Sequence, residues 1–292
     1  MTQIFFNDGE PLYGRNTGSY VLKPFKISLL KKILSRATKK WSADDLLALW
    51  TITGGVPRYV NLLVESGALT RKSMLDVFFE PGSSFLTEGR AILAEEFGPD
   101  YGVYFSILSA IASGATTSSE LKTIVGADVN GYLTKLEDQY ALVTKKQPVF
   151  EKESSKNCHF MIDDCFFRFW FRFVFKYRGS LELDRNDQVR AIAARDFDAF
   201  AGYSLERYFH WKFVEEKSYT TMGAWWNRKG EEEIDLVCED ETAEVIDFYE
   251  VKRDAARYQA EKLSGKIERF FEKYPQKRVF KWSQGCLSLR NL

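Results

Sequence analysis

A chain of 292 residues exceeds one typical domain and predicts two or three. Its 41 basic and 41 acidic residues cancel, so the surface as a whole is no electrostatic glove for nucleic acid, and any such footprint must be local. Hydrophobic residues at 45% and aromatic residues at 15% are enough for a sizeable core.

Residues 1–98 read mainly as helices. YVLKPF at 20–25 is strand-like and ends at Pro24, and a helix follows around 28–35. Ser42 opens SADDLLALW, a capped helix start with acids in its first turn. TGGVPRY breaks that helix with two glycines and Pro57. Residues 99–164 carry Tyr104, Ile107, Leu108 and Ile111 at helical spacing, then a capped short helix in TTSSELKTIVG. A third helix in ADVNGYLTKLEDQ follows, with Leu133 and Leu136. ALVTKKQPVFE and CHFMID then read as two strands. Three helices and a hairpin form a winged helix-turn-helix pattern. Residues 165–197 begin with an aromatic–arginine run, FFRFWFRFVF, whose period fits neither helix nor strand cleanly. A buried connecting helix is the better reading than a base-stacking surface, because the run is too apolar to stay exposed. From 198 to 292 the order is helix, three strands, helix, strand, with an NRKG hairpin turn between the first two strands.

Cys158, Cys165, Cys238 and Cys286 make no CxxC pair and have only His159 and His210 beside them. This argues against structural zinc and for free thiols in a reducing compartment. With no signal-peptide pattern and no apolar run of transmembrane length, a cytoplasmic protein without a membrane partner is expected.

The chemistry concentrates in GEEEIDLV and YEVK. Alternate strand residues share a face, so Glu250 and Lys252 point together, and Asp235 joins them if the two runs are neighbouring strands. Two carboxylates and a lysine suit a divalent metal beside a phosphate, the chemistry of phosphodiester cleavage. Such charges rarely sit among apolar strand residues such as Ile234, Leu236 and Val251 without serving a site.

Helix, three strands, helix, strand, with Asp235, Glu250 and Lys252 so placed, resembles the PD-(D/E)XK nuclease superfamily. The resemblance implies Glu206, in GYSLERYF, as the acid of the first helix. More widely, PLYGRNTGSYVLKPF, TGGVPRY, FFEPGSSFLTEGRAILAEEF, FRFWFRFVF and WWNRKGEEEIDLV are similar to signature stretches of a bacterial and archaeal ATPase family. Its members join an AAA-type ATPase to a winged helix and a nuclease-like domain of unknown function. The implied architecture is multidomain α and α/β: a helical remnant of an ATPase lid over 1–98 and a winged helix over 99–164. An aromatic connector over 165–197 then leads to a restriction-endonuclease-like domain over 198–292. No GxxxxGK[ST] loop is present, so no ATP binding is expected. Arg15 and Arg58, placed like nucleotide-sensing arginines, would lack their nucleotide.

The expected function is therefore a metal-dependent DNA endonuclease module. Asp235, Glu250 and the carbonyl of Val251 would hold Mg²⁺ or Mn²⁺, and Glu206 a second ion or a metal-bound water. Lys252 would stabilise developing charge. DNA contacts would come from Asn130, Tyr132, Thr134 and Lys135 on the candidate recognition helix and from Lys145 and Lys146 in the wing. Arg228, Lys229, Arg253 and Arg257 would add contacts near the site. The alternative is an inactive DNA-binding, regulatory or docking protein that uses the nuclease fold for interaction, with a second copy or another protein as partner.

Overall fold

The computed structural model describes residues 23–152, 155, 157–228 and 230–292. The strand expected at 20–25 falls partly outside them, and Lys23, Pro24 and Phe25 have no regular structure. Arg15 also lies outside the described residues. Helices α1 (Ile27–Ala37), α2 (Ala43–Thr53), α3 (Pro57–Glu65), α4 (Arg71–Phe78) and α5 (Ser84–Phe97) come first. Ser42 and Asp45 cap α2 reciprocally, each side chain accepting the other's backbone N–H. Gly54 and Gly55 end it at φ values of 58° and 78°. A Cβ on Gly55 would stand 2.7 Å from the Phe25 carbonyl oxygen, so the turn needs glycine on both counts.

Helices α6 (Tyr101–Ala112), α7 (Ser118–Val125) and α8 (Asn130–Asp138) precede an antiparallel pair, β1 (Val143–Lys146) and β2 (His159–Ile162). Strand β1 is shorter than the sequence pattern suggested. Pro148 has no N–H for a ladder, and the Val149 N–H donates instead to the Ala224 carbonyl, 2.8 Å away in a second sheet.

The aromatic run is helical: α9 (Cys165–Trp170) continues into a π-helical turn over Phe171–Phe175. Phe166, Phe169, Phe171 and Phe173 are fully buried. A helix apolar on all sides is buried on all sides, and the π turn shifts its phase, which is why no single period fitted. After the short α10 (Arg178–Leu181), helix α11 runs 31 residues from Asn186 to Glu216. The expected start at Asp198 is corrected to Asn186. The Asn186 amide donates to the Phe79 carbonyl, and Val189, Ala193, Phe197 and Ala201 carry one buried stripe through the polar stretch before Asp198.

Helix α2 packs mainly on α9 and α11, with the Trp50 indole donating to the Ser204 carbonyl at 3.2 Å, and α5 packs on α6, where Phe97 stacks on Tyr104.

Strands β3 (Thr221–Trp226), β4 (Glu233–Asp240), β5 (Val245–Val251) and β6 (Lys281–Leu287) form a mixed sheet in that order, antiparallel except for β5 with β6. Helix α12 (Ala260–Lys273) makes the crossover and buries Leu263, Ile267, Phe270 and Phe271 against the sheet. The last strand begins only at Lys281. Pro275 opens a 3₁₀ turn through Val279, and Lys277 leaves to pair with the buried Glu239 at 2.7 Å. The molecule is thus mixed α/β, with a small antiparallel sheet and a four-stranded mixed sheet.

Helix α5 crosses Trp170 at Gly89, where an added Cβ would lie 2.4 Å from Trp170 Cδ2. Gly89→Ala is expected to destabilise the fold by about 1–3 kcal/mol through overpacking. Gly102→Ala, with open space around it, should be neutral or slightly stabilising. Urea unfolding of the two variants checks the contrast.

Candidate functional site

Strand pairing decides which charges meet. Leu236 lies opposite Tyr249, so the next position of the same ladder sets Asp235 against Glu250. The Val251 N–H donates to Asp235 Oδ2 at 2.6 Å, and Lys252 Nζ stands 2.8 Å from Glu250 Oε1 and 3.8 Å from Asp235 Oδ2. The two strands therefore bring Asp235, Glu250 and Lys252 together. Both carboxylates are largely shielded, with side chains 14% and 15% exposed.

On the other side of β4 the register against β3 slips by one residue. Gly223 faces Val237 but Trp225 faces Ile234, so Asp235 and Leu236 together oppose Ala224. Irregularities of this kind re-aim side chains. Here the consecutive residues Asp235 and Leu236 both line an open cleft of about 630 Å³. Glu206, on α11, lines it too, whereas Glu250 and Lys252 do not. Glu250 instead shares its strand face with Ile246 and Phe248, under α12. Asp235 thus stands between Glu206 on one side and the Glu250–Lys252 pair on the other.

Electrostatics divides the acids. Burial, with the charges of Asp235 and Glu233, pushes the Glu206 carboxyl up to about 8. Burial also raises Asp235, although its bond from the Val251 N–H works the other way. Glu233 is exposed at the cleft rim, yet its surroundings and the Asp235 charge raise it too. Glu250 goes down: burial opposes its charge, but hydrogen bonds from Lys252 and Lys266 prevail. Lys266, on α12, reaches both Glu250 oxygens at 3.1 and 3.3 Å.

Among the described residues, no group of three or more His, Cys, Asp or Glu side chains is close enough to hold a metal ion. The donors present, Asp235, Glu250 and the Val251 carbonyl, are all oxygens, which suits Mg²⁺ or Mn²⁺ and not zinc. Burial first, and then neighbouring acids, raise Glu206 and Asp235, and a bound cation would favour the charged form of both. In donor type and charge the residues fit such an ion.

The residues expected to touch nucleic acid are dispersed. Lys146 lines the cleft, its Nζ 3.0 Å from the Tyr203 hydroxyl. Lys145 is exposed, with its N–H held by Glu137. Asn130 opens α8, where its amide oxygen accepts from Ser118 and its amide nitrogen donates to Asp128. Tyr132 is half-buried, edge-on to Tyr104. Thr134 and Lys135 are exposed, the Thr134 hydroxyl donating back to the Asn130 carbonyl. Arg228 and Arg257 are exposed, and Lys229 lies outside the described residues. Arg253 is a correction: its guanidinium pairs with Asp44 on α2 and with Asp198 on α11, so it is engaged inside the protein. Arg58 likewise pairs with Glu88.

Several members of the site escaped the sequence reading. Lys266 gave no local signal, because only the crossover brings α12 over Glu250. Arg168 sits beneath Glu206, donating to Ser204 Oγ and the Phe200 carbonyl, and burial lowers it to about 10. An arginine inside an aromatic run was the available clue. The far wall of the cleft is built from Thr116, His159, Met161 and Asp163, and His159 stacks on Trp226 at 4.5 Å and 6°.

Comparison with known proteins finds one matching family model and a distant relative. The DUF234 family model, described as "Archaea bacterial proteins of unknown function", matches residues 170–277. The chain is also 29% identical over 252 residues to the "Uncharacterized protein MJECL04" of Methanocaldococcus jannaschii. That alignment takes in 83% of this chain and 54% of the relative, so the chain spans about half the relative's length. No solved structure matches. Among the described residues no helix is long and apolar enough to cross a membrane.

One ion pair closes the cleft's base. Arg207 and the Thr144 hydroxyl both bond Asp163, and Lys146 lies 3.8 Å from it. Burial alone would raise the Asp163 carboxyl, but Arg207, Thr144 and Lys146 overcome it and hold it below the ordinary range. A carboxyl depressed on folding stabilises the protein above its unfolded pKa of about 3.9, and the contribution is lost as pH falls through the lower folded value. Asp163→Asn should therefore lower Tm at neutral pH, and the gap from wild type should close as pH drops below about 4. Thermal melts across that range check it.

Proposed function

We propose that this chain is a metal-dependent phosphodiesterase module acting on DNA, with residues 198–292 as a PD-(D/E)XK nuclease-like domain and residues 99–164 as a winged helix. The observation that carries the reading is the meeting of Asp235 and Glu250 from adjacent strands with Lys252 Nζ, 2.8 Å from one and 3.8 Å from the other. Asp235, Glu250 and the Val251 carbonyl would hold Mg²⁺ or Mn²⁺. When bound, that ion supplies Lewis-acid polarisation of a phosphoryl oxygen and a lowered pKa for the attacking water.

The chain's own residues do the rest. Lys252 donates toward the attacking water or the charge that develops on phosphorus-bound oxygen. Lys266 neutralises Glu250 from the opposite side and keeps it ionised as a ligand. Glu206, raised to about 8, is poised to exchange a proton near neutral pH at the cleft face of Asp235. Phosphate contacts from Lys146 and from the exposed Lys145, Arg228 and Arg257 position the strand without reading its sequence.

Cleavage of DNA by the purified chain should require Mg²⁺ or Mn²⁺ and vanish in Asp235→Ala and Glu250→Ala, which each remove a hard oxygen ligand. Lys252→Ala should bind metal but cleave roughly 100-fold more slowly. All three variants should retain DNA binding, because that affinity comes from phosphate contacts elsewhere. Failure of the wild type to cut duplex, branched or single-stranded DNA with metal present would favour a binding or docking role for the same fold. Cleavage that survives all three substitutions would place the chemistry elsewhere.

A further inference from the structure

We propose that the cleft beside Glu206 and Asp235 binds single-stranded nucleic acid, with an unstacked base held between Trp211 and His159. The proposal deepens the hydrolase reading above by naming the form of its substrate.

One face of helix α11 builds the first wall. Tyr203, Glu206, Arg207, His210 and Trp211 follow the helical repeat, and all line the cleft. From Glu206 to Trp211 the helix rises about 7.5 Å at 1.5 Å per residue. A base stacked on Trp211 therefore leaves a neighbouring phosphodiester of the same strand close to the carboxylates.

The facing wall is already a stack. His159 lies parallel to Trp226, whose indole N–H is fixed by Asn157 Oδ1 at 2.9 Å. Burial, aided by nearby Lys146 and Arg207 in the case of His210, lowers both His159 and His210, so both rings are neutral at physiological pH. Trp226 is buried and serves as backing, whereas Trp211 is 42% exposed and open to a ligand. Base–aromatic stacking is tolerant of sequence because every base has a flat face. In a duplex those faces are covered by neighbouring bases, and a cleft of about 630 Å³ has the size of a small-ligand pocket, which suits a single unpaired base.

Charge sets a condition. Lys146 and Arg207 face Asp163, Glu206, Glu233 and Asp235 around the lining, so a bare cleft repels phosphate. Asp163 is spent on Arg207 and Lys146, and the remaining acids gather at the end where the strand would be cut. Phosphate enters once that end is compensated, by a divalent cation or by removing the charges.

The test uses the full chain carrying Glu206→Gln and Asp235→Asn, measured in EDTA, so that binding depends on neither metal nor catalysis. Fluorescence anisotropy should show oligothymidylate bound at least about tenfold more tightly than a duplex of equal length. Adding Trp211→Ala should cost about tenfold or more on the single strand, in line with the loss of one base stack. Trp211→Phe should restore most of it. His159→Ala and His159→Phe should behave alike as a pair, with thermal melts confirming that each variant is folded. Equal affinity for single strand and duplex, or unchanged single-strand affinity in both alanine variants, overturns the proposal. If the wild type cuts duplex DNA with metal while the single-strand preference is missing, the pocket is wrong and the hydrolase reading stands. If the preference is present and nothing is cut, the reverse holds.

Discussion

Val189, Ala193, Phe197 and Ala201 seal one half of helix α11 against the helical body, while its later turns cross the four-stranded sheet and wall the cleft. Everything near the candidate site is referred to that helix. Glu206, Arg207 and Trp211 ride on it, Asp163 is tethered to it through Arg207, and Asp198 on it receives Arg253 from the end of β5. The buried side chains of α11 continue from Val189 to Phe209, and each fully buried Val, Leu or Phe among them contributes roughly 1.5–3 kcal/mol. The aromatic run of α9 and the π turn is the bed on which the helix lies, with Phe169 and Phe173 both edge-on against Phe200. Arg168 and Arg172 are the polar pegs between the two, reaching Ser204 and Asp196.

The acids of the site are unevenly supported. Glu250 has two lysines, one from its own strand and one from α12, and stays ionised. Glu206 has Arg168 beneath it and Lys252 beyond it, yet burial and two neighbouring acids outweigh both. Such a split, one carboxylate held charged and another pushed toward its neutral form, is the usual way a single site obtains both a ligand and a proton carrier. Asp235 lies between them and is held in place by the Val251 amide, whose bond fixes the carboxylate without neutralising it.

Local patterns were readable from the sequence because they rest on local physics. The capping boxes at Ser42 and Thr117, the glycine stop after α2 and the apolar stripe of α12 each depend on neighbours within a turn or two. Alternation along YEVK put Glu250 and Lys252 on one face, and the antiparallel pairing of β4 with β5 supplied Asp235. The misses have a common cause. The start of α11 was hidden by a polar surface over a sparse stripe of Val189 and Ala193. The end of β1 depended on Val149 leaving for another sheet. Lys266 and Arg253 took their partners across distances of 16 and 209 residues, and no local pattern records such pairings. Exposed arginines and tethered ones look alike in a sequence, which is why Arg253 was grouped with Arg257.

Arg253 follows Lys252 directly, and it is one corner of a four-charge knot: it meets Asp44 and Asp198, and Arg71 of α4 meets the same two carboxylates at 3.1 and 2.6 Å. Asp44 belongs to the first turn of α2, so the knot joins the opening helices to the backbone of the lysine at the site. The first turn of α2 and the residue after Lys252 are therefore held by the same four contacts, and the end of β5 is positioned by a helix residue 209 places earlier in the chain.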